Sequence, residues 1–368
     1  MAGPDRRSVP AIAAVVLGAA IVGCIIGGVV RDAYVARLGK QVSQRPAVGP
    51  DGLGHAVKGP VELPAGPEAR RRVRMSDLLQ RFDENAALEH VTKLADDIGP
   101  RYAGTPQEQH AAEYIRGVLT DLGYEVHLQK GIPVPPLSKV TQNVVGIKPG
   151  SSNALRIVVG GHYDSINRGG GSPGANDNGS GIGVVLEVAR VLRRVKLPYR
   201  IDFVAFGSEE SVDGVAAHHH YGSNHFVADY LESPGDPKLV GMMSVDMIGV
   251  GNDLYARTVG LANRILVDKS LASAERLGVP LEVLSGGAWS DHDAFELAGV
   301  PSVWYHRKED PDYHTCRDVS ANVESVHLRT MGRLVLHILL SLTEESLQEM
   351  SKLTGEPGAS GDKKAPGS

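Results

Sequence analysis

The stretch Ile157-Val-Val-Gly160-Gly161-His162-Tyr-Asp164-Ser165 joins an apolar run to two metal-binding residue types. Ile157, Val158 and Val159 read as a short buried strand by composition, with the strand ending at the glycine pair. His162 and Asp164 follow at i and i+2, where extended chain aims both side chains to one face. A histidine beside a carboxylate suits metal binding, one ring nitrogen on the metal and the other donating to the carboxylate. For this pair alone, a strand-end histidine with a surface Asp is the plainer alternative. The chain then passes a glycine-rich turn and reads Gly174-Ala-Asn-Asp177-Asn178-Gly-Ser-Gly. The Gly169-Gly170-Gly171 run lacks the Gly-Lys-Ser/Thr ending of a phosphate-binding loop and reads as a flexible connection between site residues.

Outward from this stretch, strand-like and helix-like patterns alternate. Helical spacing covers 75–98 and 105–122, and strands are expected at 124–128 and 143–147 with a loop at Pro133–Pro136. After the opening strand, helices are expected at 182–192, 222–231, 261–277, 291–297 and 323–342. Strands are expected at 201–206, 239–245, 281–284 and 302–305. Such alternation predicts an α/β fold, a three-layer α/β/α sandwich with a mostly parallel mixed central sheet. His162, Glu209, Glu210 and Asp246 each follow closely on an apolar strand, and ligand sites in such folds lie beyond the carboxyl ends of strands.

Each further candidate has two readings. Asp177 precedes a helix, so it is a cap or a ligand. Glu209-Glu210 is a solvated acidic turn, or a pair in which one carboxylate binds metal and its neighbour takes a proton from water. Asp246 interrupts an apolar strand, which is costly unless the carboxylate is paired or metal-bound. His314 lies in the loop Pro311-Asp-Tyr313-His314-Thr-Cys316-Arg-Asp318.

In this order, His162-x-Asp164, Asp177, Glu209-Glu210, Asp246 and Tyr313-His314 resemble the zinc aminopeptidase family that includes aminopeptidase Y and the bacterial leucyl aminopeptidases. Ser290-Asp291-His292, with Phe295 and Gly299-Val300-Pro301, resembles a further family segment. The resemblance covers roughly Met75 to Leu342 and implies a zinc-exopeptidase-like fold and two zinc ions acting on peptide substrates. It implies His162 and Asp246 on one zinc, Glu210 and His314 on the other, and Asp177 bridging them. Asp164 would support His162, Glu209 would be the general base, and Tyr313 would donate to the developing oxyanion. The donor set of nitrogens and oxygens suits zinc. Asn178 stands where many relatives carry a second Asp. The histidine run His218-His219-His220, with His225 nearby, reads as a polar loop near the site. Cys316 reads as a free, semi-buried thiol. A glutaminyl-cyclase-like acyltransferase with one zinc shares the His-Tyr-Asp-Ser and Glu-Glu segments. Carboxypeptidase and dipeptidase relatives share the metal set, and a non-catalytic relative would be expected to lose ligands.

Apolar content is ordinary, and the length suits one large domain or two small ones. The 368 residues carry a formal charge of −5, which argues against nucleic acid as a partner. Two cysteines, Cys24 and Cys316, give no disulfide framework. Val9–Val30 contains no charged residue and has the length of a membrane span. Residues 1–40 are therefore expected to be a membrane anchor, with a cleaved signal or a lipoprotein site at Cys24 as alternatives. Residues 41–72 read as a Pro/Gly-rich linker, 73–350 as the peptidase domain, and 351–368 as a disordered tail. The expected location is membrane-anchored with the catalytic domain outside the cytoplasm.

Overall fold

The structure, a computed structural model, describes residues 75–167, 171–215, 217–233 and 235–355. The apolar run Val9–Val30, the linker and the end of the tail lie outside these residues, as do residues 168–170 of the glycine-rich turn. Among the described residues no helix is long and apolar enough to cross a membrane.

The elements run α1 (Glu84–Thr92), α2 (Pro106–Asp121), β1 (Glu125–Val134), β2 (Lys139–Lys148), β3 (Leu155–His162), α3 (Ser180–Leu192), β4 (Arg200–Phe206), α4 (Tyr221–Glu232), β5 (Lys238–Val245), β6 (Leu254–Thr258), α5 (Ile265–Leu277), β7 (Glu282–Ser285), α6 (His292–Leu297), β8 (Ser302–Arg307), α7 (Ser325–Ser341) and α8 (Glu344–Leu353). Eight strands form one sheet in the order β1-β2-β4-β3-β5-β8-β6-β7. The centre, β4-β3-β5-β8, is parallel. β1 and β2 run antiparallel on one side, and β6 pairs antiparallel with β8 on the other. This is the expected α/β/α sandwich. Alternation along β3 sends Ile157 and Val159 into the larger core, beneath α1, α3 and α7. Val158 enters the smaller core, with Phe206, Phe226 and Phe295 beneath α4 and α6.

Several elements differ from expectation, among them α8, which runs to Leu353 past the expected start of the tail at 351. β3 does not stop at Gly160-Gly161 but runs on to His162. A Cβ at Gly160 would stand 2.3 Å from the Val204 carbonyl, and one at Gly161 2.5 Å from that of Val245. Here the glycines let the neighbouring strands close in rather than ending the strand. The β1–β2 hairpin is longer than the five-residue strands expected, and Pro133 pairs with Val140 inside it. β1 is the sheet edge, where a proline's missing N–H can face solvent. β6, which carries Arg257, is not among the expected strands. In the fold Arg257 is buried, its guanidinium 4.9 Å from the Trp289 ring centroid and 5.5 Å from that of Trp304, and it donates to the Gly286 carbonyl at 2.7 Å. Cys316 is exposed rather than semi-buried.

Arg101 ties the site-bearing loops together. It is fully buried and donates to the carbonyls of Tyr163 (2.8 Å), Leu94 (2.8 Å), Gly99 (3.2 Å), Pro173 (2.5 Å) and Gly174 (3.0 Å). Burial lowers its pKa to about 10 against the raising influence of Asp318, Asp164 and Asp177. Arg101→Leu strands five carbonyls and is expected to cost roughly 3–5 kcal/mol of stability, the scale of breaking a buried charged network. Urea denaturation of the two proteins measures it, and a loss below about 1 kcal/mol would show that the loops hold without it.

Candidate metal centre

His162 ends β3, Glu209 and Glu210 follow β4, and Asp246 follows β5. The parallel centre of the sheet therefore delivers all four at one edge. Asp177 comes from the turn before α3, not from a helix cap, and His314 from the loop after β8. The side chains converge on two clusters, His162/Glu209/Asp246 and Asp177/Glu210/His314. Asp177 reaches both. Its Oδ1 lies 3.1 Å from His162 Nε2 and its Oδ2 lies 3.1 Å from His314 Nε2. Asp246 Oδ1 is 3.3 Å from His162 Nε2, and Glu210 Oε1 is 3.3 Å from His314 Nε2.

These separations test the fit to metal. Two donors about 2.0–2.2 Å from one tetrahedral zinc stand roughly 3.3–3.5 Å apart. Glu210 Oε1 and Asp246 Oδ1 are buried without a hydrogen-bond partner, although each faces an imidazole nitrogen. Buried polar atoms are normally satisfied, and a cation between the ligands would satisfy both. Neutral imidazole and carboxylate are zinc donors, so the residues present fit the ion.

Without a cation the electrostatics are unbalanced. Burial, reinforced by the Asp177 charge, raises Glu210 to about 8, and burial raises Asp246 to about 6 despite His162. Burial opposes the charge on His162, yet Glu209 and Asp246 outweigh it and lift its pKa well above the usual value. His314 rises to about 10 by the same contest, with Asp177 and Glu210 overcoming desolvation. Burial would raise Asp177, but hydrogen bonds from His162 and His314 bring it below the usual carboxylate range.

The supporting groups surround these residues. Asp164 accepts the backbone N–H groups of Glu209 (3.0 Å) and Glu210 (3.2 Å), and its Oδ1 is 3.5 Å from His162 Nδ1. One carboxylate thus fixes the turn carrying the acidic pair and faces the back of the histidine. Asn178 receives the N–H of Gly181 at 2.8 Å and donates to the Val245 carbonyl at 3.0 Å, joining the start of α3 to the end of β5. The Tyr313 ring stacks on His314 with centroids 3.6 Å apart. The residue as a whole is half-exposed, while desolvation of its hydroxyl and then the nearby Asp177 raise its pKa well above normal. A cavity of about 110 Å³ beside Glu210 is lined by Tyr102, Leu137, Lys139 and Val212 among others.

Four further residues support the centre, and nothing in the sequence alone assigns them a role. Asp318 accepts from the backbone N–H of Asn176 (2.6 Å) and Asp177 (3.1 Å). Ser290 donates to Asp246 Oδ2 at 2.8 Å. His220 Nε2 lies 2.9 Å from Glu209 Oε1, and His220 Nδ1 lies 3.0 Å from both oxygens of Asp293. Ser290 and Asp293 belong to or adjoin the Ser-Asp-His segment, and His220 closes the histidine run, so the sequence marked their neighbourhoods without their partners. His218, by contrast, turns outward to Asp213 at 2.7 Å.

Fold and site together define an α/β/α sandwich with a candidate metal centre at the carboxyl ends of its parallel strands. Peptidase family M28 is matched over residues 143–339, more than half of the chain, and the chain belongs to this zinc-dependent peptidase family. The chain is 35% identical over 210 residues to aminopeptidase YwaD of Bacillus subtilis (strain 168), covering 54% of this chain and 44% of that protein. Leucine aminopeptidase 1 of Trichophyton equinum is 29% identical over 279 residues, covering 69% of this chain and 70% of the relative. The chain therefore spans less than half the length of YwaD and about two thirds of the fungal enzyme. Among solved structures, the zinc aminopeptidase BSAP from Bacillus subtilis superposes with a TM-score of 0.61 at 21% identity, over 70% of this chain and 94% of that one. A Bacteroides thetaiotaomicron glutaminyl cyclase superposes with a TM-score of 0.63 at 21% identity, over 72% and 99%. At these identities the superpositions show the shared fold.

The Asp318 contacts yield a prediction. Asp318→Ala frees the backbone that aims Asp177 and is expected to weaken zinc binding roughly 10–100-fold, the scale for outer partners of metal ligands. Competition with a fluorescent chelator reads the affinity, and an unchanged value would separate Asp318 from the centre.

Proposed function

We propose that the chain is a two-zinc aminopeptidase that hydrolyses the first peptide bond of a peptide with a free amino end. The observation that carries this reading is Asp177, whose two oxygens face the two histidines at equal distance. His162 and Asp246 would hold one zinc, Glu210 and His314 the other, and Asp177 both. Zinc in such a site supplies Lewis acidity, polarising a carbonyl and bringing the pKa of water toward neutrality.

The protein's own groups do the rest. Glu209 takes the proton of the attacking water and returns it to the departing amide nitrogen, so that water adds across the C–N bond with no net change at the enzyme. Its Oε2 is 3.9 Å from His162 Nε2, farther than the other facing carboxylates, and its Oε1 is engaged by His220. This supports a proton-transfer role rather than ligation. Burial would raise Glu209, but His162 and His220 hold it below the usual carboxylate pKa and therefore ionised. Tyr313 keeps its proton and can donate to the oxygen that gains charge. The similarity to aminopeptidase YwaD and leucine aminopeptidase 1 supports the amino-end specificity.

A single-zinc glutaminyl-cyclase-like acyltransferase is the second reading, favoured by the superposition on the Bacteroides cyclase. Zinc counting separates the two. Two ions per chain, loss of aminoacyl-anilide hydrolysis on chelation and recovery with zinc are expected; one ion with cyclisation of N-terminal glutamine would overturn the proposal. Glu209→Gln should lower kcat by roughly 10²-fold or more while keeping both zincs. Glu210→Gln should instead lose zinc at one position, and the reverse pattern would exchange the two roles.

The run Val9–Val30 supports a further part of the proposal, a membrane anchor that leaves the catalytic domain outside the cytoplasm. Protease shaving of intact cells should release an active fragment. Protection until the cells are broken would reverse the orientation. Deletion of residues before Met75 should yield soluble active enzyme, because all proposed ligands lie beyond it.

A further inference from the structure

Behind the acidic pair lies a second arrangement, which meets the centre only at Glu209. His220 is buried at the end of the loop that leaves Glu209 and returns to it. Its backbone N–H donates to the Glu209 carbonyl at 2.8 Å, and the Tyr221 N–H donates to the Ser208 carbonyl at 2.9 Å. The same residue therefore meets Glu209 twice, through its main chain and through Nε2. On the far side of the ring, Nδ1 faces both Asp293 oxygens at 3.0 Å. Carboxylate oxygens only accept, so both ring nitrogens are donors here. His220 adopts a left-handed backbone, φ 57° and ψ 32°, which a non-glycine residue keeps only where its surroundings impose it. Glu209, His220 and Asp293 are each under a tenth exposed, so water does not compete for these bonds.

We propose that His220, anchored by Asp293, is a positioning residue that fixes Glu209 Oε1 and so presents Oε2 to the reacting water. The inference rests on the reading of Glu209 as general base. A glutamate has three rotatable side-chain bonds, and its proton transfer needs one oxygen within hydrogen-bond reach of water. Loss of about 1 Å of registration can cost 10²-fold in rate. The donor to Oε1 removes that freedom without occupying the oxygen that acts. Asp293, the second residue of α6, ties the base to the neighbouring helix of the layer that also holds α4.

The test uses the zinc-loaded full chain. His220→Ala is expected to lower kcat roughly 10–100-fold with KM within about twofold, and with zinc content and melting temperature retained. His220→Gln places an amide nitrogen where Nε2 stands and should recover most of kcat. His220→Asn, whose nitrogen falls short, should not. In the Glu209→Gln background, His220→Ala should cost nothing further, because the group it positions no longer acts. Wild-type kcat in His220→Ala, equal loss in the Gln and Asn variants, or a further loss in the Glu209→Gln background each overturns the proposal. If His220→Ala does not fold, Asp293→Ala decides: kcat must fall with KM and zinc kept, and an unchanged kcat overturns it. An active Glu209→Gln would remove the general-base reading itself. An inactive Glu209→Gln beside a fully active His220→Ala would remove only the positioning role.

Discussion

Asp177, Glu209, Glu210 and Asp246 are buried side by side, with the imidazoles of His162, His314 and His220 as the positive partners they face directly. Carboxylates so close together in a dry site repel one another, and each loses its hydration. The opposing shifts show the consequence, with Glu210 and Asp246 pushed up and Asp177 pulled down. Such a group of charges persists only with positive charge among the ligands and with rigid support behind them. The fold supplies the support. Each of the strands β3, β4 and β5 ends where a ligand begins, and Asp164, Asp318 and Ser290 hold the backbone or side chain of a ligand from outside.

This division explains what could be read from the chain. His162, Glu209, Glu210 and Asp246 were legible because each follows closely on an apolar strand, whereas Asp177 and His314, in a turn and a loop, stood out only as members of the ordered set. The sandwich was legible from alternation of apolar runs. The supporting residues were not, because nothing local marks them. Asp318 lies 141 residues from Asp177 and sits in a loop sequence that reads as solvent-exposed. Asp293 lies 73 residues from His220 and looks like an ordinary first-turn helix acid. β6 was hidden for the related reason that Arg257 is accommodated by aromatic stacking, which period and propensity do not register.

Backbone strain has a similar distribution. Among the described residues six non-glycine positions have positive φ, and four of them are Ser208, His220, Met247 and His314. Ser208 precedes Glu209, Met247 follows Asp246, His220 contacts Glu209, and His314 faces Asp177. A left-handed non-glycine residue costs on the order of 1–3 kcal/mol and survives where surrounding structure over-determines it. Each strained residue here lies at the point where the chain leaves a strand or loop to aim a side chain at the same small volume. A relaxed backbone would continue the strand past Glu209 or Asp246 and carry the carboxylates apart. The strain is therefore the local cost of convergence, offset by the bonds that close around it, such as the Met247 carbonyl accepting from Arg307 at 2.8 Å and the Glu209 carbonyl accepting from His220. The centre is consequently fixed in shape by the protein itself. A site so constrained can hold the proton-transferring carboxylate apart from its ligand neighbour, although the two are adjacent in sequence.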